Sequence, residues 1–117
     1  KLVILELGAN DGLRGLSITD MQTNLQTMIT RSQLAGANVL LIGIRTPANY
    51  GRRYGQMFTQ SYSKVANSTG AYLMPYFMSK IAVDPRLMLN DNLHPNATAQ
   101  PLIRDFMYIE IDKWLQH

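Results

Sequence analysis

Three short apolar runs alternate along the chain with longer stretches in which apolar residues recur every three or four positions. The runs are residues 1–7 (KLVILEL), 39–44 (VLLIGI) and 71–74 (AYLM), and turn-forming glycine or proline follows closely on each. Continuous apolar runs bounded by such residues are typical of strands that are buried on both faces, as in a parallel sheet. The pattern therefore predicts three buried parallel strands.

The stretches between and after these runs have helical periodicity. A first helix is predicted with Asp20 near its start and Gly36 as its stop, a second over about residues 51–67, and a last one after Pro95. Residues 75–96 are predicted to be mostly loop, with one helical turn around residues 85–89. The order β-α-β-α-β-loop-α favours right-handed crossovers and an α/β fold with a parallel sheet.

Composition narrows the class of protein further. The 117 residues are 46% hydrophobic and 16% charged, which suits a single domain spanning residues 1–117. The chain has no cysteine, which excludes a disulfide scaffold and a thiolate metal site. No apolar run reaches the roughly 18 residues that a membrane-spanning helix needs. A stable membrane anchor is therefore not expected.

Basic residues are too few to indicate nucleic-acid binding. Lys and Arg number 11 against 8 Asp and Glu, for a net charge of +3. Arg52 and Arg53 lie between Tyr50 and Tyr54, a combination that could contact phosphates. Two adjacent arginines make a weak electrostatic footprint, so a solvated helix start is the favoured interpretation.

Polar side chains follow each predicted strand. Asn10 and Asp11 come after the first strand, Arg45 after the second, and a loop with Asp91 and His94 after the third. In open α/β sheets, ligands bind at the carboxyl ends of the strands. These residues are therefore expected to gather at one edge of the sheet, as in an active site.

Asp91 and His94 have a spacing that suits an acid–base pair. A carboxylate three residues before an imidazole can accept a hydrogen bond from the ring, fix its tautomer and stabilise the imidazolium. The alternative is a surface histidine near a helix start, with Asp91 serving only a turn. Asn96 is a candidate cap for the following helix. His117, the terminal residue, is expected to be solvated.

Asn10 and the methionines each leave two interpretations open. The amide of Asn10 could donate to a developing oxyanion, with Gly8 allowing close approach of a substrate, or Asn-Asp-Gly could simply form a turn. Met74, Met78 and Met88 could line an acyl pocket, although filling gaps in a core is the commoner use of methionine.

Two motifs taken together resemble a known superfamily. Residues 8–11 (GAND) and 91–96 (DNLHPN) resemble the Asn and His blocks of the SGNH (GDSL-type) hydrolases, whose sequence blocks supply Ser, Gly, Asn and His. Residues 6–15 and 44–54 are further similar to the bacterial thioesterase I family, also called lysophospholipase L1 or multifunctional arylesterase. The resemblance covers essentially the whole chain and implies a three-layer α/β/α flavodoxin-like fold.

The resemblance implies a serine-type esterase or thioesterase that acts on small acyl esters and thioesters through an acyl-enzyme, without a metal or an organic cofactor. His94 would be the general base, Asp91 its orienting acid and Asn10 an oxyanion-hole donor. The substrate-side positions would be Asp11, Gly12, Arg45, Thr46 and Pro47. A periplasmic or secreted bacterial location is also implied.

The chain departs from the family pattern in two places. Ala9 replaces a glycine that many relatives have, which leaves the asparagine in position. More important, the Gly-Asp-Ser block with the nucleophile and the block with the second oxyanion donor are absent. No serine follows a strand in a Gly-Asp-Ser context; the six are Ser17, Ser32, Ser61, Ser63, Ser68 and Ser79.

We therefore expect that the N-terminal strands of the domain are missing from this chain, together with the nucleophile. The 117-residue chain alone is then expected to lack normal esterase activity. The alternative function is that of an inactive fragment that associates through an exposed sheet edge, with the missing N-terminal segment or with another chain.

Overall fold

The computed structural model describes residues 1–116, except for the side chain of Ala48; His117 lies outside the described residues. The elements in chain order are β1 (Leu2–Leu5), α1 (Ala9–Leu13), α2 (Ile18–Leu34), β2 (Asn38–Ile42), α3 (Arg52–Thr69), β3 (Tyr72–Met74) and α4 (Gln100–Leu115). Short 3₁₀ turns occupy Ala48–Tyr50, Pro85–Leu87 and Ala97–Ala99. The predicted order of strands and helices is confirmed, with α1 as an addition.

The three strands form one parallel sheet in the order β1-β2-β3. Val3 pairs with Val39, and Ile42 pairs with Met74. The predicted parallel sheet is therefore confirmed. Each strand is shorter than its apolar run, because the ladder between β1 and β2 ends at the pair of Leu5 and Leu41.

The chain divides into two compact units, Lys1–Pro75 and the residues from Tyr76 onward. In the first unit, α2 and α3 pack on one face of the sheet, and their buried apolar residues recur at three- or four-residue spacing. This core consists of Leu5, Met21, Leu25, Ile29, Val39, Leu41, Phe58, Tyr62, Val65 and Ala66. Full burial of each large side chain contributes about 1.5–3 kcal/mol to folding.

Burial of the strands differs between β2 and β1. Residues 39–42 of β2 are all buried, so the predicted burial on both faces is confirmed there. In β1, Leu2 is 54% exposed and Ile4 is 47% exposed, so the prediction is wrong for this strand. The reason is that α2 and α3 pack on the face that carries Val3 and Leu5, and that β1 is at the edge of the sheet within residues 1–116.

The second unit has a small core of its own. Met78, Ile81, Met88 and Ala99 are buried in it, with partly buried apolar side chains around them. Met74 of the first unit is also fully buried. The methionines therefore fill gaps in cores, as the commoner use of this residue suggests.

The segment between β1 and α2 is where local structure differs from expectation. A turn was predicted over residues 8–12, and the structure has the five-residue helix α1 there. Gly8 precedes this helix with a φ of 114°, a left-handed conformation that glycine adopts readily. The helix α2 then begins two residues before Asp20, because Ser17 accepts a hydrogen bond from the Asp20 amide and caps it.

Candidate active site

Asp91 and His94 form a hydrogen-bonded pair in the loop before α4. The Oδ2 atom of Asp91 lies 2.6 Å from Nδ1 of His94. The other oxygen, Oδ1, accepts hydrogen bonds from the backbone N–H groups of Leu93 (2.9 Å) and His94 (3.0 Å). One carboxylate thus orients both the backbone and the ring of the histidine. The turn at Asp91 and the hydrogen bond between Asp91 and His94 are both present, and the acid–base role of the pair stays a prediction.

The hydrogen bond also determines which ring nitrogen of His94 is free. An ionised carboxylate only accepts hydrogen bonds, so Nδ1 must carry the proton that joins it to Asp91. In the neutral ring, Nε2 then has its lone pair available to accept a proton. This tautomer is the one that a general base with an orienting acid requires.

The electrostatics of the pair follow from its hydrogen bonds. The His94 ring, followed by the backbone N–H groups of Leu93 and His94, lowers the pKa of Asp91 to about 2. The carboxyl is therefore ionised throughout the neutral range. The side chains of Asp91 and His94 are 42% and 70% exposed, and exposed ion pairs add little to stability. The consequence of the pair is orientation of the imidazole rather than stabilisation of the fold.

The loop around the pair is closed by hydrogen bonds. The amide of Leu89 donates to the carbonyl of His94 (2.8 Å), and Met88 and Pro95 form an antiparallel bridge. Asn92 has a φ of 57°, a left-handed conformation that asparagine tolerates better than most residues. The backbone therefore turns sharply at Asn92, and the Asp91 carboxylate can accept hydrogen bonds from His94, three residues later.

Asn96 secures the exit from this loop. Its Oδ1 accepts a hydrogen bond from the amide of Ala99 (3.1 Å), so the predicted capping role is confirmed. Its Nδ2 donates to the carbonyl of Arg86 (2.8 Å) at the entry of the loop. A single side chain thereby ties the two ends of residues 86–96 together.

Asn10 lies in α1, directly after β1, with an exposed side chain. Within residues 1–116 its side-chain amide makes no hydrogen bond, so its N–H donors are unpaired there. A short helix, rather than the turn considered from the sequence, carries this residue. The geometry suits an amide that donates to a ligand, because nothing in the described chain competes for its N–H groups.

Gly12 and Thr46 meet although they follow different strands. A Cβ atom placed on the buried Gly12 would lie 2.9 Å from Cγ2 of Thr46 and 2.7 Å from Cε2 of Phe58. Asp11 is half-buried beside them, and Pro47 is half-buried while Arg45 is exposed. Gly12 after β1 and Thr46 after β2 therefore lie side by side in the first unit.

A groove of about 370 Å³ lies beside Asn10, between the end of β1, α1 and α2. Besides residues 6–11, it is lined by Met21, Asn24, Leu25 and Met28. Partial burial raises the pKa of Glu6 on its wall. No motif points to Asn24, although its spacing of three residues from Met21 places both on one helix face.

The residues assigned to the site belong to two units. Asn10, Asp11, Gly12, Arg45, Thr46 and Pro47 lie in the first, and Asp91 and His94 in the second. Each group is assembled within its own unit. The expectation that all of them gather at one sheet edge stays a prediction.

The six serines lie in helices, at a helix start or in a turn. The Oγ atoms of Ser32, Ser61 and Ser68 donate to carbonyls of the preceding helical turn, and Ser61 is fully buried. Ser17 caps α2. Ser63 is exposed within α3, and Ser79 is exposed in a turn. None of these positions resembles the end of a strand.

Within residues 1–116, no group of three His, Asp or Glu side chains is arranged to hold a metal ion. A search of the same residues for a helix of sufficient length and hydropathy to cross a bilayer finds none.

A hydrogen-bonded Asp–His pair before the last helix and an asparagine after a parallel strand define a class of hydrolase. Residues 1–100 match the model of the GDSL-like lipase/acylhydrolase family, and the chain belongs to this family. The resemblance to SGNH hydrolases and the expected flavodoxin-like α/β fold are thereby confirmed.

The relatives that the chain resembles include an arylesterase and a thioesterase. The chain is 45% identical over 114 residues to an arylesterase of Vibrio mimicus, covering 97% of this chain and 57% of that protein. It is 40% identical over 115 residues to thioesterase 1/protease 1/lysophospholipase L1 of Escherichia coli, covering 98% and 55%. The chain thus spans little more than half the length of these relatives.

The chain is also similar to a protein of known structure. The psychrotrophic esterase EstA from Pseudoalteromonas sp., inhibited by monoethylphosphonate, superposes with a TM-score of 0.95 at 53% identity. The match covers 97% of this chain and 62% of the EstA chain.

Proposed function

We propose that the protein is a serine-type esterase or thioesterase that hydrolyses small acyl esters and thioesters through an acyl-enzyme. The observation that carries this proposal is the 2.6 Å hydrogen bond between Asp91 and His94, which leaves Nε2 of the imidazole free. Membership of the GDSL-like family and the names of the relatives support the same reaction class.

In this mechanism, Nε2 of His94 takes the proton of a serine hydroxyl as the serine oxygen attacks the ester or thioester carbonyl. The carbonyl oxygen becomes an oxyanion, to which the amide of Asn10 donates. Asp91 stabilises the imidazolium. His94 then gives its proton to the departing alcohol or thiol, and water repeats the sequence to release the acid and the free serine.

The nucleophile in this proposal is not one of the six serines of the chain. Three of them use their hydroxyl hydrogens on helical carbonyls, and Ser17 caps a helix. A nucleophile needs a strained, exposed turn at the end of a strand or an equivalent fixed position. We infer that the serine and the second oxyanion donor lie in the N-terminal part of the domain, outside this chain.

The proposed substrate and cellular location follow from the same family membership. Asp11, Gly12, Arg45, Thr46 and Pro47 would contact the acyl part of the substrate. The reaction needs no metal and no organic cofactor, and the protein would act in the periplasm or outside the cell without a stable membrane anchor. Arg52 and Arg53 are exposed at the start of α3, and nucleic acid is not a proposed ligand.

The test uses the product of the complete gene, p-nitrophenyl butyrate and a serine-directed fluorophosphonate probe. We expect turnover and labelling of one serine outside this chain, and loss of turnover in a His94→Ala variant. An Arg104→Gln variant, changed at an exposed position of α4, serves as the control.

The 117-residue chain itself is the second arm of this test. It should neither turn over the ester nor accept the label, because loss of the nucleophile removes most of the catalysed rate. Robust turnover together with labelling of one of its six serines would contradict the assignment of the nucleophile.

A second candidate function is association through the free edge of β1. Within the described residues, β1 pairs only with β2, and Leu2 and Ile4 are about half exposed beside that edge. Unpaired strand edges with apolar side chains favour pairing with another strand. The occupant would be the N-terminal segment of the domain or a second copy of the chain.

Light scattering after size-exclusion chromatography tests this association. The chain should run as a dimer or larger species, and Ile4→Lys should shift it toward monomer because a lysine beside the edge opposes strand pairing. Leu34→Lys, at an exposed position at the end of α2, should change nothing. A wild-type chain that stays monomeric at all concentrations would exclude self-association.

A further inference from the structure

Three aromatic rings form a column along one face of α3. Tyr54, Phe58 and Tyr62 follow each other at four-residue spacing, which places them on one side of a helix. The rings of Tyr54 and Phe58 are stacked with centroids 6.3 Å apart, and those of Phe58 and Tyr62 meet edge to face at 5.6 Å. Two of the three rings carry a hydroxyl, and buried hydroxyls need a hydrogen-bond partner.

Both hydroxyls find their partners in the segment that carries Asn10. Oη of Tyr62 donates to the carbonyl of Leu7 (2.8 Å), just before α1. Oη of Tyr54 donates to the carbonyl of Leu16 (2.7 Å), just after it. The two tyrosines therefore hold residues 7–16 at both ends, from a helix that is far away in the sequence.

The same column fits closely under the glycines of this segment. A Cβ on Gly8 would collide with the Tyr62 hydroxyl, and one on Gly12 would lie 2.7 Å from the ring of Phe58. The backbone of residues 7–16 thus rests directly on the three rings. Both glycines are needed for this approach, since any side chain would lift the segment off the column.

We propose that Tyr54 and Tyr62 are positioning residues for Asn10, holding α1 so that the Asn10 amide stands where the oxyanion develops. This inference rests on the proposed esterase function. A five-residue helix is too short to be stable alone, so its position must come from the packing beneath it. Oxyanion donors act only when they are held at hydrogen-bond distance from the developing charge.

The protonation state of the two tyrosines is consistent with this role. Burial, and to a lesser degree the carboxylate of Asp11, raises the pKa of both hydroxyls. Both therefore remain hydrogen-bond donors at every pH at which an esterase of this type would be assayed. Removing a hydroxyl while keeping its ring isolates the hydrogen bond from the packing.

Tyr62→Phe and Tyr54→Phe in the complete gene product provide the test. Amide hydrogen exchange should become faster in residues 8–16, because one end of the segment is released. For p-nitrophenyl butyrate we expect kcat to fall by about tenfold or more, since small misplacements of catalytic groups are costly, with KM nearly unchanged. Tyr108→Phe, at an exposed position of α4, is the matched control.

A second control separates positioning from general loss of stability. Ile29 is fully buried in α2 and makes no hydrogen bond to residues 7–16. Ile29→Val should therefore lower the melting temperature without releasing residues 7–16 from α3. Its kcat should equal that of the wild type. Equal losses of kcat in Ile29→Val and Tyr62→Phe would overturn the proposal.

The outcomes also distinguish this inference from the proposed function. Unchanged exchange in residues 8–16 of Tyr62→Phe overturns the anchoring whether or not the protein is an esterase. Faster exchange with unchanged kcat overturns the positioning of Asn10. If the wild-type gene product hydrolyses no ester, the proposed function fails, and with it the catalytic part of this inference, while the exchange data still decide the anchoring.

Discussion

The two regions that carry the proposed catalytic residues are held in place by opposite means. The loop with Asp91 and His94 is exposed and secured by hydrogen bonds between residues close in sequence. The segment with Asn10 is held by aromatic side chains of α3, whose hydroxyls bond to it across 38 and 55 positions of the chain. Local polar bonds fix a side chain without contributing much to stability, whereas packing couples a residue to the whole core.

The first and largest expected effect tests the local region. Asp91→Ala should lower kcat/KM of the complete gene product by about 10²- to 10⁴-fold, because His94 loses its tautomer and its orientation together. The melting temperature should hardly change, since the pair is exposed. Steady-state kinetics with p-nitrophenyl butyrate and thermal unfolding provide the two measurements.

Asp84 is the matched control for this variant. It lies in the same unit and accepts two side-chain hydrogen bonds from Arg86, at 2.9 and 3.1 Å, so it is also a paired, loop-borne carboxylate. Asp84→Ala should leave kcat/KM within about twofold, because no transition-state interaction is lost. If both variants lose activity equally, the loop as a whole matters and the special role of Asp91 is refuted.

These two regions also differ in how far they could be predicted from the sequence. The Asp91–His94 pair was predictable because its spacing of three residues suffices for the contact. The succession of strands and helices along the chain followed from apolar runs in the same local way. The helix α1 was not predictable from local sequence, because the hydroxyls of Tyr54 and Tyr62 bond to residues 7–16 only after α3 has packed on the sheet.

The exposure of β1 was missed for a related reason. Its sequence is as apolar as that of a central strand, but burial depends on which elements cover each face. The helices α2 and α3 pack on the side of Val3 and Leu5, and Ile4 on the other side is half exposed. An apolar sequence shows that a strand can be buried, but the elements packed on each of its faces determine whether it is.

The second prediction tests the packed region. Gly12→Ala should lower the free energy of unfolding by about 1–3 kcal/mol, because the new Cβ would overlap the buried ring of Phe58 and the methyl of Thr46. Gly43→Ala, whose Cβ would come no closer than 3.4 Å to a neighbour, should cost clearly less. Urea unfolding of both variants measures the difference. Equal stabilities would mean that the Asn10 segment does not rest tightly on α3.

The smallest expected effect is a change in the pKa of Asp91 when its partner His94 is removed. In the wild type, the carboxyl of Asp91 should titrate with a pKa of about 2, below its ordinary value of 3.8. In His94→Ala, the pKa should rise toward 3.8 without reaching it, because the backbone hydrogen bonds from residues 93 and 94 remain. Asp84, whose pKa is lowered by Arg86, should titrate identically in both proteins. Carbon-detected NMR of the aspartate carboxyls measures these values.

The sign of the accompanying stability change follows from the lowered pKa. A carboxyl with a lower pKa in the folded state stabilises that state above the pKa of the unfolded chain, and this contribution is lost as the pH falls through about 2. The wild type should therefore lose slightly more stability than His94→Ala as the pH falls from about 4 to 2. An Asp91 pKa that is the same in His94→Ala would show that the backbone amides of residues 93 and 94 alone lower it. The hydrogen bond to the imidazole would then be too weak to orient the ring.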